Sequence, residues 1–251
     1  MTLYSNDSIT VTKLPSWKRS ALQDFEHKMS DRKNAFPCIP ATQAFSFGHL
    51  RYAFVRDPRY KDSAIELGGC LQKFTEKSRS FGKYATLIVF FQTPKDLRSR
   101  TVEQFEQLFW QQLNWLSSID KESWPRQIPE HAENSVWEFC YHGEPYFVYC
   151  ATPSHHYRKS RSFPYFMLAI TPRWVLTQFN SSPDYAKKIK SAIRDRLMAY
   201  DTISPHPELK HYGNEDNFEW KQYFLRDDDT QLNKCPFHRT LREETKKNDS
   251  K

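Results

Sequence analysis

The densest group of side chains able to do chemistry is Thr152-Pro153-Ser154-His155-His156-Tyr157-Arg158-Lys159-Ser160-Arg161. It follows directly on an apolar run ending at Cys150-Ala151, and a segment at a strand exit is where a rigid scaffold commonly holds binding groups. Two imidazoles followed by three cations suit an anionic ligand that also needs a nitrogen donor. Haem meets that description, since its iron takes an axial imidazole and its propionates pair with Arg or Lys. The ordinary alternative is a solvated basic loop. A second candidate is Phe36-Pro37-Cys38-Ile39-Pro40. A cysteine between prolines has a restricted backbone that suits an axial thiolate, though a small buried hydrophobe needs the same residue. Glu138, Glu144, Asp201 and Glu219 each lie near an aromatic in sequence. A carboxylate with an aromatic wall can receive a cationic substrate, and taken singly each is equally an ordinary surface or hairpin charge.

Other chemistries are excluded by composition. The six glycines (Gly48, Gly68, Gly69, Gly82, Gly143 and Gly213) include no G-x-G, so the dinucleotide fingerprint, the phosphate loop and the G-x-S-x-G nucleophile elbow are all absent. The five cysteines (Cys38, Cys70, Cys140, Cys150 and Cys235) form no C-x-x-C pair, which argues against a structural zinc site and for free thiols. Asp227-Asp228-Asp229 lacks the spaced ligands and glycine of a calcium loop.

The elements that must position these groups are legible from periodicity. The 251 residues carry 37 Lys and Arg against 30 Asp and Glu, a net charge of +7. That excess is too small to mark a nucleic-acid binder by itself. With 7 Trp, 13 Tyr and 19 Phe the chain can fill a core. Helices are expected over Trp17–Met29, Ser63–Lys77, from Thr101 through Leu116, and over Tyr185–Met198. Strands are expected over His49–Val55, Tyr84–Phe91, Val136–Tyr141, Tyr146–Ala151 and Tyr165–Thr171. Tyr84–Phe91 reads as a central strand buried on both faces, and His142-Gly143-Glu144-Pro145 as a hairpin turn. The reading is a single α+β domain, a mixed β-sheet with packed helices, spanning 15–239. A polar extension covers 1–14 and a frayed charged tail 240–251. No apolar stretch is long enough to span a bilayer, and the N-terminus has no apolar signal region. A soluble, cytoplasmic protein is expected.

The order of motifs adds to this. Phe36-Pro37-Cys38, Leu50-Arg51-Tyr52-Ala53-Phe54-Val55, Trp137-Glu138-Phe139-Cys140 with Gly143-Glu144-Pro145, and Thr152-Pro153-Ser154-His155 with Arg158 and Ser160-Arg161 occur in sequence. They are followed by Pro172-Arg173-Trp174-Val175, Tyr200-Asp201, Tyr212-Gly213-Asn214 and Glu219-Trp220-Lys221-Gln222-Tyr223-Phe224. In this the chain resembles the YqcI/YcgG family of bacterial proteins over about residues 15 to 237. The resemblance implies haem b and an N-hydroxylase acting on a guanidine- or amine-bearing small molecule, as in the haem-dependent guanidine N-hydroxylases of guanitoxin type. A redox partner or peroxide source is then required. On this reading His155 is the first choice for the iron and Cys38 the second. Arg158 and Arg161 hold the propionates, and Glu138 or Glu144 receives the guanidinium. Ala41 and Ala169-Ile170-Thr171 depart from the family pattern and bear on the pocket's shape. The competing readings are a haem-binding protein without turnover and a basic module for an acidic ligand or nucleic acid.

Overall fold

The computed structural model describes residues 2–5, 13–210 and 215–239. The tail at 240–251, most of the N-terminal extension and the Tyr212-Gly213-Asn214 motif lie outside the described residues.

One mixed sheet organises the chain, in the order β1-β2-β5-β4-β3. Its strands are β1 (Leu50–Val55), β2 (Thr86–Phe91), β3 (Phe139–Tyr141), β4 (Glu144–Ala151) and β5 (Met167–Pro172). β1 and β2 are parallel, joined through a helix, and the remaining pairs are antiparallel. Helices cover both faces. They are α1 (Ser16–Ser30), α2 (Ile39–Ser46), α3 (Lys61–Lys77), the single turn α4 (Lys95–Arg98), α5 (Val102–Ile119), α6 (Arg173–Asn180), α7 (Pro183–Tyr200) and the single turn α8 (Trp220–Tyr223).

The two-residue period of the strands divides the core. Leu87, Val89 and Phe91 of β2, Leu168 and Ile170 of β5, and Tyr146, Val148 and Cys150 of β4 pack with α3 and α5 in the larger cluster. The alternate residues Ile88, Phe90 and Met167 meet α1 and α2 in a smaller cluster with Phe25, Met29 and Phe36. β2 is thus buried on both sides, as its unbroken apolar run requires. α5 begins where a capping box fixes it. The Gln104 N–H donates to the Thr101 hydroxyl, and the Thr101 N–H donates to Gln104 Oε1 at 3.0 Å.

Three expectations change. The hairpin turn is His142-Gly143 alone, both at positive φ (52° and 72°), so Glu144 and Pro145 already belong to β4. The strand expected from Val136 begins only at Phe139. α2 and α6 were not anticipated: each is 8 residues long, too short for a resolved apolar period, and each starts beside a proline that reads as a breaker.

Candidate functional site

Between the sheet face opposite α5 and the helices α1, α2, α6 and α7 lies a cavity of about 400 Å³, within the range of small-molecule sites. Phe147 and Tyr149 of β4 and Met167, Ala169 and Thr171 of β5 form its floor; Phe25 and Met29 of α1 and Ile193 and Leu197 of α7 wall it. Polar groups enter this apolar space at a few points. Cys38 lines it from the N-cap of α2. Lys28 lines it from α1, Lys190 and Arg194 from α7, and Arg173 and Glu219 from opposite ends of the C-terminal half.

Cys38 is half-buried. Burial pushes its thiol up, against a hydrogen bond from the Ala41 N–H and the charge of Arg161. A thiol placed at a helix N-terminus in this way ionises most readily when a cation or metal arrives to share the charge. Lys28 is drawn down to about 8 by burial. Its ammonium donates to the carbonyls of Lys159 and Ser162, both at 3.0 Å, and lies over the rings of Phe36 and Tyr200.

At the other end, Phe139, Tyr146 and Pro172 are aligned across three strands, so Glu138 and Arg173 each sit one residue from that row. Arg173 Nε meets Glu138 Oε2 at 2.5 Å, and its Nη2 meets Glu219 Oε2 at 3.6 Å. Glu138 is fully buried and Glu219 is 4% exposed. Burial pushes the Glu219 carboxyl up to about 7; Arg173 works against this and the neighbouring Glu138 adds to it. Glu144, by contrast, is half-buried on β4 and does not line the cavity; burial raises its carboxyl, opposed by Arg79.

The Thr152–Arg161 loop is placed elsewhere. The His155 ring is 1% exposed and is not among the cavity's lining residues. Its Nε2–H donates to the Leu225 carbonyl at 2.8 Å, and its Nδ1 accepts from the Thr152 hydroxyl at 2.8 Å. Burial lowers its pKa to about 4, although the Leu225 carbonyl favours the charged form. Arg158 donates to the carbonyls of Arg226, Ser204 and Asp228 and pairs with Asp229 at 2.7 Å. Arg161 donates to the carbonyls of Cys150, Tyr223 and Gln222 and stacks 4.2 Å from the Tyr149 ring. Asp227 accepts the backbone N–H groups of His156, Tyr157 and Arg158. In this arrangement His155, Arg158 and Arg161 clasp described residues between Ser204 and Asp229 onto the end of the sheet, and the donors of these three side chains are spent there and on the Cys150 carbonyl. The structure therefore brings Cys38 and Arg173–Glu219 to one cavity, with Glu138 behind Arg173, and leaves His155, Arg158, Arg161 and Glu144 outside it.

Residues 25–238 match the model of the YqcI/YcgG family. The chain belongs to the YqcI/YcgG family. Its cavity and clasp both fall within the matched segment. Relatives of this YqcI/YcgG protein include the uncharacterized proteins YqcI and YcgG of Bacillus subtilis (strain 168). The first is 49% identical over 238 residues, 94% of each chain; the second is 49% identical over 225 residues, 89% of each. A more distant relative is the putative N(omega)-hydroxy-L-arginine synthase DcsA of Streptomyces lavendulae, 29% identical over 231 residues, 89% of this chain and 85% of that one. No solved structure matches the chain. Among the described residues no helix is long and apolar enough to cross a membrane, and no group of three or more His, Cys, Asp or Glu is placed to hold a metal ion.

Two features of the site escaped the sequence. Arg173 was read only as part of a family motif, and Glu219 was one of four similar carboxylates. Their meeting depends on a 46-residue separation closed by the fold, which no spacing rule shows.

Proposed function

We propose that this YqcI/YcgG protein is a haem-dependent N-hydroxylase acting on a guanidine-bearing small molecule held in the cavity between the sheet and α7. The observation that carries the reading is the cavity itself, which joins a cysteine sulfur, apolar walls and a buried carboxylate in one space. The Streptomyces relative, a putative N(omega)-hydroxy-L-arginine synthase, supports the reaction class.

The residues present fit haem b. Cys38 would offer its sulfur to the iron, the aromatic and aliphatic walls would suit a macrocycle, and Lys190 and Arg194 would supply cations for its propionates. Cys38 therefore replaces His155 as the first choice for the iron: coordination by His155 requires breaking its bonds to Leu225 and Thr152. When bound, haem supplies the oxidising chemistry. Hydroxylation adds one oxygen atom to a guanidine nitrogen. With peroxide as oxidant the second oxygen leaves as water, and with dioxygen an external donor provides two electrons. This chain's own part is to hold the group, exclude water with α7 and the sheet, and orient the substrate nitrogen.

Haem titration of the purified protein tests this. A Soret band is expected at one haem per chain, with a ferrous–CO band shifted far to the red as a thiolate gives. Cys38→Ala removes the red-shifted band, while His155→Ala keeps it. Loss of the iron spectrum in His155→Ala alone returns the iron to His155. No haem uptake refutes the proposal. With haem bound, a guanidine compound and oxidant yield an N-hydroxy product.

A further inference from the structure

Four carboxylates, Glu138, Glu144, Asp201 and Glu219, were candidates for the substrate's cation, and the fold separates them. Asp201 does not line the cavity and accepts from the Ser160 N–H and hydroxyl. Glu144 does not line the cavity. Glu138 sits behind Arg173, whose Nε it holds at 2.5 Å, so its charge already faces a guanidinium of the protein. Glu219 lines the cavity while 4% exposed. Among the described residues its buried Oε2 meets only the Arg173 guanidinium, 3.6 Å away and beyond ordinary hydrogen-bond length. Its Oε1 has one long contact, from the Asn217 amide at 3.5 Å. A buried carboxylate held this loosely has not recovered the hydrogen bonds it gave up to water.

We infer that Glu219 is the residue that receives the cationic head of the substrate, a planar guanidinium or amidinium, from inside the cavity. This rests on the proposed N-hydroxylase reading and deepens it. A planar cation offers paired N–H donors that suit the carboxylate's two oxygens. Arg173, held by Glu138, then acts as a positioning residue: it keeps the Glu219 carboxylate oriented without satisfying it. The Asn217–Gln222 contact, in which Gln222 Nε2 donates to Asn217 Oδ1 at 2.6 Å, fixes the segment that carries Glu219. The arrangement selects charge. A urea-bearing isostere has the same shape but one fewer donor group and no charge, and leaves Glu219 as it is in the free protein.

The test is calorimetric titration with L-arginine, methylguanidinium and the neutral isostere L-citrulline, on the chain as purified and again after haem loading. Wild type is expected to bind at least one of the two cations, and to prefer L-arginine to L-citrulline. Glu219→Gln should lose roughly 10- to 100-fold in affinity for that cation, the scale of a charge-assisted pair, with L-citrulline binding unchanged. Glu219→Asp, which keeps the charge, should retain part of the preference, and equal melting temperatures confirm that all variants fold. A Soret titration of the same samples separates the two proposals. If Glu219→Gln takes up haem as wild type does but loses the cation, the assignment stands. Cation binding without haem uptake removes the N-hydroxylase reading and leaves Glu219 as a cation site. The inference is overturned if Glu219→Gln binds the cation as tightly as wild type, if L-citrulline binds equally well, or if wild type binds neither cation in either form.

Discussion

Replacing His155 by Gln tests whether the loop is a structural clasp. The ring is 1% exposed and its pKa is lowered from 6.5 to about 4, chiefly by burial. A histidine depressed in this way is neutral in the folded protein and takes up its proton more readily once unfolded. Its contribution to stability is complete above the unfolded value of 6.5 and is lost as pH falls toward the folded value near 4. A shift of that size corresponds to about 3 kcal/mol lost by the time both states are protonated, and about 2 kcal/mol at a pH near 5. His206 is also lowered by burial, so wild type alone does not isolate the effect. Urea unfolding, followed by tryptophan fluorescence near pH 8 and near pH 5, should be run on wild type and His155→Gln. At the higher pH the variant is expected to be less stable by about 1–3 kcal/mol, from the bonds lost to Leu225 and Thr152. At the lower pH that difference should shrink by about 2 kcal/mol, because glutamine has no proton to gain. Equal pH slopes in the two proteins would refute the burial argument and reopen a solvent-facing role for the ring.

Three further outcomes are expected. Arg173→Ala leaves two buried carboxylates without their shared guanidinium and should cost about 3–5 kcal/mol in denaturant unfolding; a loss below 1 kcal/mol would show that neither is charged there. Gly143→Ala places a β-carbon at φ 72° in a turn that is otherwise unobstructed, so the cost should be only the backbone's, about 1–2 kcal/mol by thermal or urea melts. All five cysteines are free, and alkylation under denaturing, non-reducing conditions should modify all five by mass spectrometry, with a stoichiometric disulfide counting against this.

What the sequence made legible was set by period and length. The apolar run Tyr84–Phe91 became the doubly buried β2, and Thr101 marked the start of α5. Both signals are local. The hairpin was legible, but its register was not: His142 at φ 52° takes a turn position that usually belongs to Asn, Asp or Gly. α2 and α6 were missed because two helical turns cannot display an apolar face, and Pro40 and Pro172 stand where a helix may start as well as where one must stop.

The site was legible by residue type and hidden in its pairing. Imidazole and guanidinium groups that would suit an anionic cofactor equally suit the carbonyls of an irregular chain, and the aperiodic sequence beyond Asp201 gives no sign that Ser204 and residues 222–229 meet Thr152–Arg161. Once its described residues do, Arg158 and Arg161 are consumed by seven described acceptors, six of them on Ser204, Gln222, Tyr223, Arg226, Asp228 and Asp229 and the seventh the Cys150 carbonyl. The consequence reaches the cavity. Arg161 holds the carbonyls of Gln222 and Tyr223, and the Gln222 N–H donates to the Glu219 carbonyl at 2.9 Å. The basic cluster thus bears on the ligand indirectly: by fixing the 217–223 segment against the sheet, it sets where the Glu219 carboxylate enters the cavity.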